Sequence, residues 1–323
     1  MKILKTGIST IQDLGRFGHR NQGIPTSGCM DTLAYGLGNL LVGNDEGAAS
    51  LELSSGAFSA SFNHTSLVAL TGKGYEGFIS GRPVSFWQPF LVKEGEFLQL
   101  FPKEVGFSYL AIHGGIRTNP QFNSRATHLP SRIGGLNGNA LQPGDHLPVS
   151  RFPDEKGQHI MNYLSQVSGQ VRLSPAITPD YSNQVIRYFP GPEYDWFTEQ
   201  SRLLLESTDF HLSTTSNRMG FRLQGPQLQR ERSVELLSQP VLPGTMQVSP
   251  DGQILLLMAD AQTTGGYPRI GQVVVVDIPL AAQKTPGSSI VFKKISLREA
   301  EALLIKREKQ LLQLKRDYYL YFS

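Results

Sequence analysis

The apolar residues of this chain come in short runs. "SLVALTG" (66–72), "FLVKEGEFLQLF" (90–101), "FSYLAIHGG" (107–115), "QILLLMAD" (253–260) and "GQVVVVDI" (271–278) are bounded by Gly, Pro, Asn or Ser. Runs of this length with such punctuation predict strands rather than helices. "VIRYFPGPEYDWF" (185–197), "FRLQGP" (221–226), "SVELLSQPV" (233–241) and "SSIVFKKI" (288–295) extend the pattern. The 33 Gly and 20 Pro supply the turns that a strand-rich chain needs. A helical period holds in two places. Leu33, Leu37, Leu40 and Leu41 space a helix within 30–44, with Gly43 as its stop and Asp31 placed to favour its dipole. Residues 296–320 form the other, with Ser296 and Glu299 as a capping box.

A chain of 323 residues suggests two domains. The polar, Pro- and Ser-containing stretch 151–184 reads as the connection between residues 1–150 and residues 185–323. The two halves echo each other. "SGCMD", "LELSSG", "LVALTG" and "EGEFLQL" are followed in the same order by "SNRMG", "VELLSQ", "LLLMAD" and "PGSSIVF". The echo predicts two related β-rich units.

Net charge of +3 without an aromatic-interleaved basic stripe gives no nucleic-acid signature. The apolar runs fall short of the roughly 18 residues a membrane helix needs. With Cys29 as the single cysteine and no signal-peptide pattern at "MKILKTGIST", the expectation is a cytoplasmic protein. Walker A, GxGxxG, GxSxG, paired cysteines and HxxxH are all missing, so no metal set is expected.

The densest polar feature is "ADAQTTGGYPRIG" (259–271), between two apolar runs. Asp260, Gln262, Thr263, Thr264, Gly265, Gly266, Tyr267 and Arg269 crowd one connection. Adjacent glycines permit positive φ and close approach of a ligand to the backbone. The alternative is a wide hairpin whose Asp and Thr satisfy its own backbone. The matching place in the first half, "TGKG", lacks this polar load, which favours a site. Further clusters are "QDLGRFGHRNQGIPTSGCMD" (12–31), the glycine- and arginine-bearing loop 113–147, suited to phosphate or carboxylate, and "STTSNRMGFRLQG" (213–225).

"QDLGRFGHRNQGIPTSGCMD", "SRIGGLNGNALQPGD", "TSNRMGFRLQG" and "ADAQTTGGYPRIG" resemble, in order, the motifs of the biotin-dependent-carboxyltransferase-like family, also called the allophanate hydrolase subunit 2 family. "GPEY", "SNRMGFRLQG", "DAQTTGGYPRI" and the small Ala261 are nearest its 5-oxoprolinase branch. The resemblance implies a mainly β fold, with tandem cyclophilin-like β-barrel domains, a few helices and a C-terminal helix. It implies ATP-consuming opening of 5-oxoproline, a lactam, to L-glutamate. The 5-oxoprolinase B subunit would be the direct partner and the 5-oxoprolinase A subunit the functional one. Other members imply alternatives: a binding protein that antagonises a histidine-kinase inhibitor, or a urea/allophanate carboxyltransferase-type module. Gly138-Asn139 stands where relatives carry Gly-Arg, and no Ala-Met-Lys-Met biotinylation site is present, so no covalent biotin is expected. From side-chain type and motif position, Asp260 and Asp13 are the acid/base candidates. Gln262, Thr263, Thr264, Gly265, Gly266, Tyr267 and Asn217 would hold the substrate, with Arg16, Arg218 and Arg269 as anion clamps.

Overall fold

The computed structural model describes residues 1–166, 172–174, 177–231 and 235–322. Two compact units make up the chain. Met1–Arg16, Ser27–Pro179 and Leu312–Ser323 form one; Phe17–Thr26 and Asp180–Leu311 form the other. Chain order does not decide membership, because residues 17–26 and 312–323 each join the unit built mainly from the other half of the chain.

The first unit has strands β1 (Lys2–Lys5), β2 (Ile8–Gln12), β3 (Ser50–Ser55), β4 (Phe58–Ser61), β5 (Ser66–Gly72), β6 (Tyr75–Ile79), β7 (Arg82–Val84), β8 (Pro89–Val92), β9 (Phe97–Pro102) and β10 (Ser108–Ile112). They form two five-stranded sheets, β1-β4-β9-β6-β7 and β2-β3-β10-β5-β8. Leu51, Leu53, Val68, Leu70, Leu110 and Ile112 of one sheet share a core with Ile3, Phe58, Ala60, Leu98 and Leu100 of the other. The run at 90–101, expected as one strand, is two strands in different sheets, because Lys93–Glu96 turns the chain. Helix α1 (Thr32–Leu41) covers the outer face of β5 and β10. There Thr71 Oγ1 donates to Ala34 O at 2.7 Å, and Gly38 lies against Thr71 and Ala111. A strand packed on both faces reads as an unbroken apolar run, and "SLVALTG" is such a strand. Asp31 caps α1, accepting from Ala34 N at 2.9 Å. Helix α2 (Glu155–Gln166) lies within the stretch read as a connection.

The second unit has β11 (Val185–Pro190), α3 (Glu199–Ser207), β12 (Asp209–Leu212), β13 (Gly220–Gln224), β14 (Gln239–Pro240), β15 (Thr245–Val248), β16 (Ile254–Leu257), β17 (Thr264–Gly265), β18 (Arg269–Val273), α4 (Ile278–Ala282) and β19 (Ser289–Lys294). Seven strands close a barrel in the order β11-β18-β15-β16-β13-β12-β19. The fold is mainly β with a barrel, few helices and a C-terminal helix, as the resemblance implied. Of the run "SVELLSQPV", residues 233–234 lie outside the described residues and only Gln239–Pro240 is strand. "GQVVVVDI" leaves the sheet at Val273 and enters a 3-10 turn at Val275–Asp277. Helix α5 (Leu297–Phe322) opens on the expected capping box: Ser296 N donates to Glu299 Oε2 at 2.7 Å and Glu299 N to Ser296 Oγ at 3.2 Å. Among the described residues no helix is long and apolar enough to cross a membrane.

Candidate functional site

The polar connection is not a hairpin. β16 and β18 both run antiparallel to β15 and lie on either side of it, so they are parallel to each other. Residues 258–268 must therefore travel back along β15. Met246 and Val248 pair with the inward residues Leu256 and Ile254, which leaves Gln247 and Thr245 facing out. The crossover lies over Gln247, whose Nε2 donates to Tyr267 O at 3.1 Å. Beside it, β17 pairs with β14, and Val241, Leu257 and Ala261 form a small apolar cluster beneath. The small Ala261, 1% exposed, is thus a packing residue of this second layer.

Each end of the crossover is fixed by a two-pronged ion pair. At its start Arg218 Nε donates to Asp260 Oδ2 at 2.8 Å and Nη2 to Oδ1 at 3.0 Å. The backbone joins in, with Asp260 N donating to Arg218 O at 2.9 Å and Met258 N to Met219 O at 3.1 Å. Asn217 shapes the turn that presents Arg218, since its Oδ1 accepts from Met219 N at 2.8 Å. At the far end Arg269 Nε donates to Glu193 Oε2 at 2.7 Å, Nη2 to Oε1 at 2.6 Å, and Arg269 N to Oε2 at 3.0 Å. Burial pushes the Glu193 carboxyl up, but the hydrogen bonds and charge of Arg269 outweigh it and hold the group below the usual carboxylate range. Arg20 secures the middle. Its Nη2 donates to Val241 O and, at 3.2 Å, to Thr263 O, and its Nη1 donates to Thr26 Oγ1 at 3.2 Å.

Between these anchors, Gln262, Thr264, Gly266 and Tyr267 are exposed and Thr263 is half-buried. The two glycines do not serve positive φ, since neither adopts it. Gly265 is there because a Cβ would stand 2.6 Å from Gln247 Nε2. At Gly266 a Cβ would meet only Leu236 O at 3.3 Å and Ser238 Oγ at 3.8 Å.

Asp13 and Arg16 belong to the first unit, so the predicted set divides between the units. The Asp13 carboxylate is occupied: Oδ1 accepts from Gly15 N at 2.8 Å and Ser124 Oγ at 2.7 Å, and Oδ2 from Arg125 N at 2.5 Å. Arg16 is fully buried, with Nη2 donating to Ala126 O. In the loop 113–147, Gly135 is pressed on the Thr127 side chain and Gly138 on the backbone of Arg132, so neither position has room for a side chain. Sequence reasoning missed Glu193, Gln247 and the part played by Arg20. The one signal for Glu193 was its place in "GPEY".

The sequence pattern described as "Carboxyltransferase domain, subdomain A and B" matches residues 22–294. The chain belongs to this carboxyltransferase-domain family. It is similar to the C subunit of 5-oxoprolinase from Haemophilus influenzae, 37% identical over 309 residues and covering 95% of each chain. It is also similar to the C subunit of 5-oxoprolinase from Escherichia coli, 39% identical over 302 residues and 93% of each chain. Among solved structures, the urea amidolyase of K. lactis superposes with a TM-score of 0.83 at 24% identity, over 100% of this chain and 20% of that one. That likeness shows a shared fold.

Proposed function

We propose that this carboxyltransferase-domain chain is one component of an ATP-dependent 5-oxoprolinase, opening 5-oxoproline to L-glutamate together with the A and B subunits of that enzyme. The observation that carries the reading is identity of 37% and 39%, almost end to end, with two proteins named as the C subunit of 5-oxoprolinase. A lactam is a poor electrophile, so ring opening requires strong polarisation or prior activation of its carbonyl. Preorganised donors facing the developing charge are the usual means. The crossover offers such donors: the exposed Thr264 hydroxyl, the Gln262 amide and the backbone at Gly266, held by strands and two ion pairs. Asp260 and Asp13 act in this reading as positioning groups, since each carboxylate already holds a neighbour. ATP consumption is assigned in this reading to the assembled complex, with no site named on this chain.

Co-expression with the A and B subunits, following glutamate released from 5-oxoproline, tests the proposal. The expected result is ATP-dependent glutamate above that of a control lacking this chain. Release equal to that control overturns it. Transfer of a carboxyl group to urea by this chain when supplied with carboxybiotin would instead favour the carboxyltransferase-module reading, suggested by a Lachancea kluyveri urea amidolyase, 28% identical over 310 residues.

A further inference from the structure

The predicted anion clamps Arg218 and Arg269 are each neutralised by a carboxylate of their own unit, Asp260 and Glu193. Arg20 is different. Its partners are a hydroxyl and two carbonyls, Thr26 Oγ1, Val241 O and Thr263 O. Among the described residues it has no carboxylate, so a full positive charge sits against the crossover. It is half-buried, and that burial lowers its pKa, whereas Arg187 and Arg269 are raised by the acids they pair with. Removing a charge from water without an opposite charge is costly, so the position favours an incoming anion. The carbonyls also fix the plane of the guanidinium. A fork held in this way loses little freedom on taking a carboxylate, and it retains donors on Nε and Nη1 that these three acceptors do not use up.

The exposed groups nearest to Arg20 along the chain of the crossover are Gln262 and Thr264, flanking the Thr263 carbonyl that Arg20 holds. A small molecule bearing both a carboxylate and an amide offers partners of the right kind to the guanidinium and to these amide and hydroxyl groups. We propose that Arg20 is the carboxylate-binding residue of the crossover site, and that the site takes a small ring amide carrying a carboxylate. This rests on the 5-oxoprolinase reading for the identity of the substrate and not for the anion site itself.

Two measurements separate these. In the assembled complex, Arg20→Gln and Arg20→Lys are compared with wild type on 5-oxoproline, with 2-pyrrolidone, the same lactam without the carboxylate, as competitor. A charged hydrogen-bond pair of this kind corresponds to a roughly ten- to hundred-fold rise in KM for Arg20→Gln. The expected pattern is that rise with kcat little changed, a smaller rise for Arg20→Lys, and an unchanged inhibition constant for 2-pyrrolidone. Equal weakening of both ligands would mark Arg20 as a staple for the backbone alone and overturn the proposal. In the isolated full chain, the Arg20 Nε–H NMR signal is followed while 5-oxoproline or 2-pyrrolidone is added. A shift with the first and none with the second supports the proposal. That result in a complex without turnover would sink the enzyme reading and leave the anion site standing. No shift with 5-oxoproline overturns the anion site.

Discussion

Asp260 meets Arg218 with its carboxylate 4% exposed and the guanidinium 16% exposed. Taking away one member of such a buried pair deprives the other of its two-pronged partner, at a cost of up to about 3–5 kcal/mol, whereas replacing both with apolar residues is often closer to neutral. Arg218→Met and Asp260→Leu are therefore expected to be destabilising singly and to cost less together than the sum of the two, by urea unfolding. Activity returning with stability in the double variant would identify Asp260 as a positioning group, and inactivity despite restored stability would return it to the chemistry. Glu193 carries a pH signature. Its folded pKa is depressed, so the stability it contributes is complete above the ordinary glutamate value of about 4.3 and is lost as pH falls through the folded value. Glu193→Gln should cost stability near neutral pH, and its gap from wild type should narrow below about pH 4. A gap that widens on acidification would contradict the assigned pairing.

The crossover is the element on which the site depends, and its two glycines predict opposite behaviour. Gly265→Ala drives a methyl into Gln247 and should cost about 1–3 kcal/mol, the usual penalty for overpacking. Gly266→Ala asks only a small movement of Leu236, in an irregular stretch, and should change stability by about 1 kcal/mol or less. Thermal unfolding of the two variants checks this, and equal losses would refute the packing account. The polar load of 260–269, the helix after Asp31 and the capping box at Ser296 were legible in the sequence because caps, periodicity and turn chemistry are local. The crossover was not, since whether β16 and β18 neighbour each other depends on where β15 inserts. The ion pairs were not either. Arg218 joins Asp260 across 42 positions and Arg269 joins Glu193 across 76, and side-chain type alone does not say which charges neutralise each other.

At the scale of the whole molecule, each unit is completed by chain from the opposite half. A fragment of residues 1–179 carries 17–26 without its own unit and lacks 312–322. Within the first unit, Tyr318 Oη donates to Leu41 O at 2.7 Å, meeting an end carbonyl of α1, and Tyr321 packs on Tyr163. Such a fragment should unfold at lower temperature than the same strands in the full chain, and mixing it with residues 180–323 should restore part of the loss. Circular dichroism of the fragments, apart and together, measures it, and independent full stability of 1–179 would contradict the division described.

The same exchange of segments imposes a timetable on synthesis. Domains emerging from the ribosome ordinarily close in order from the N-terminus. Here the sheets of the first unit are available early, but the segment bearing Tyr318 is translated only after every barrel strand. Until then the end of α1 at Leu41 lacks its tyrosine hydroxyl, and the first unit waits for its last segment. A chaperone that shields this interval would act on the older half of the nascent chain, not the newer.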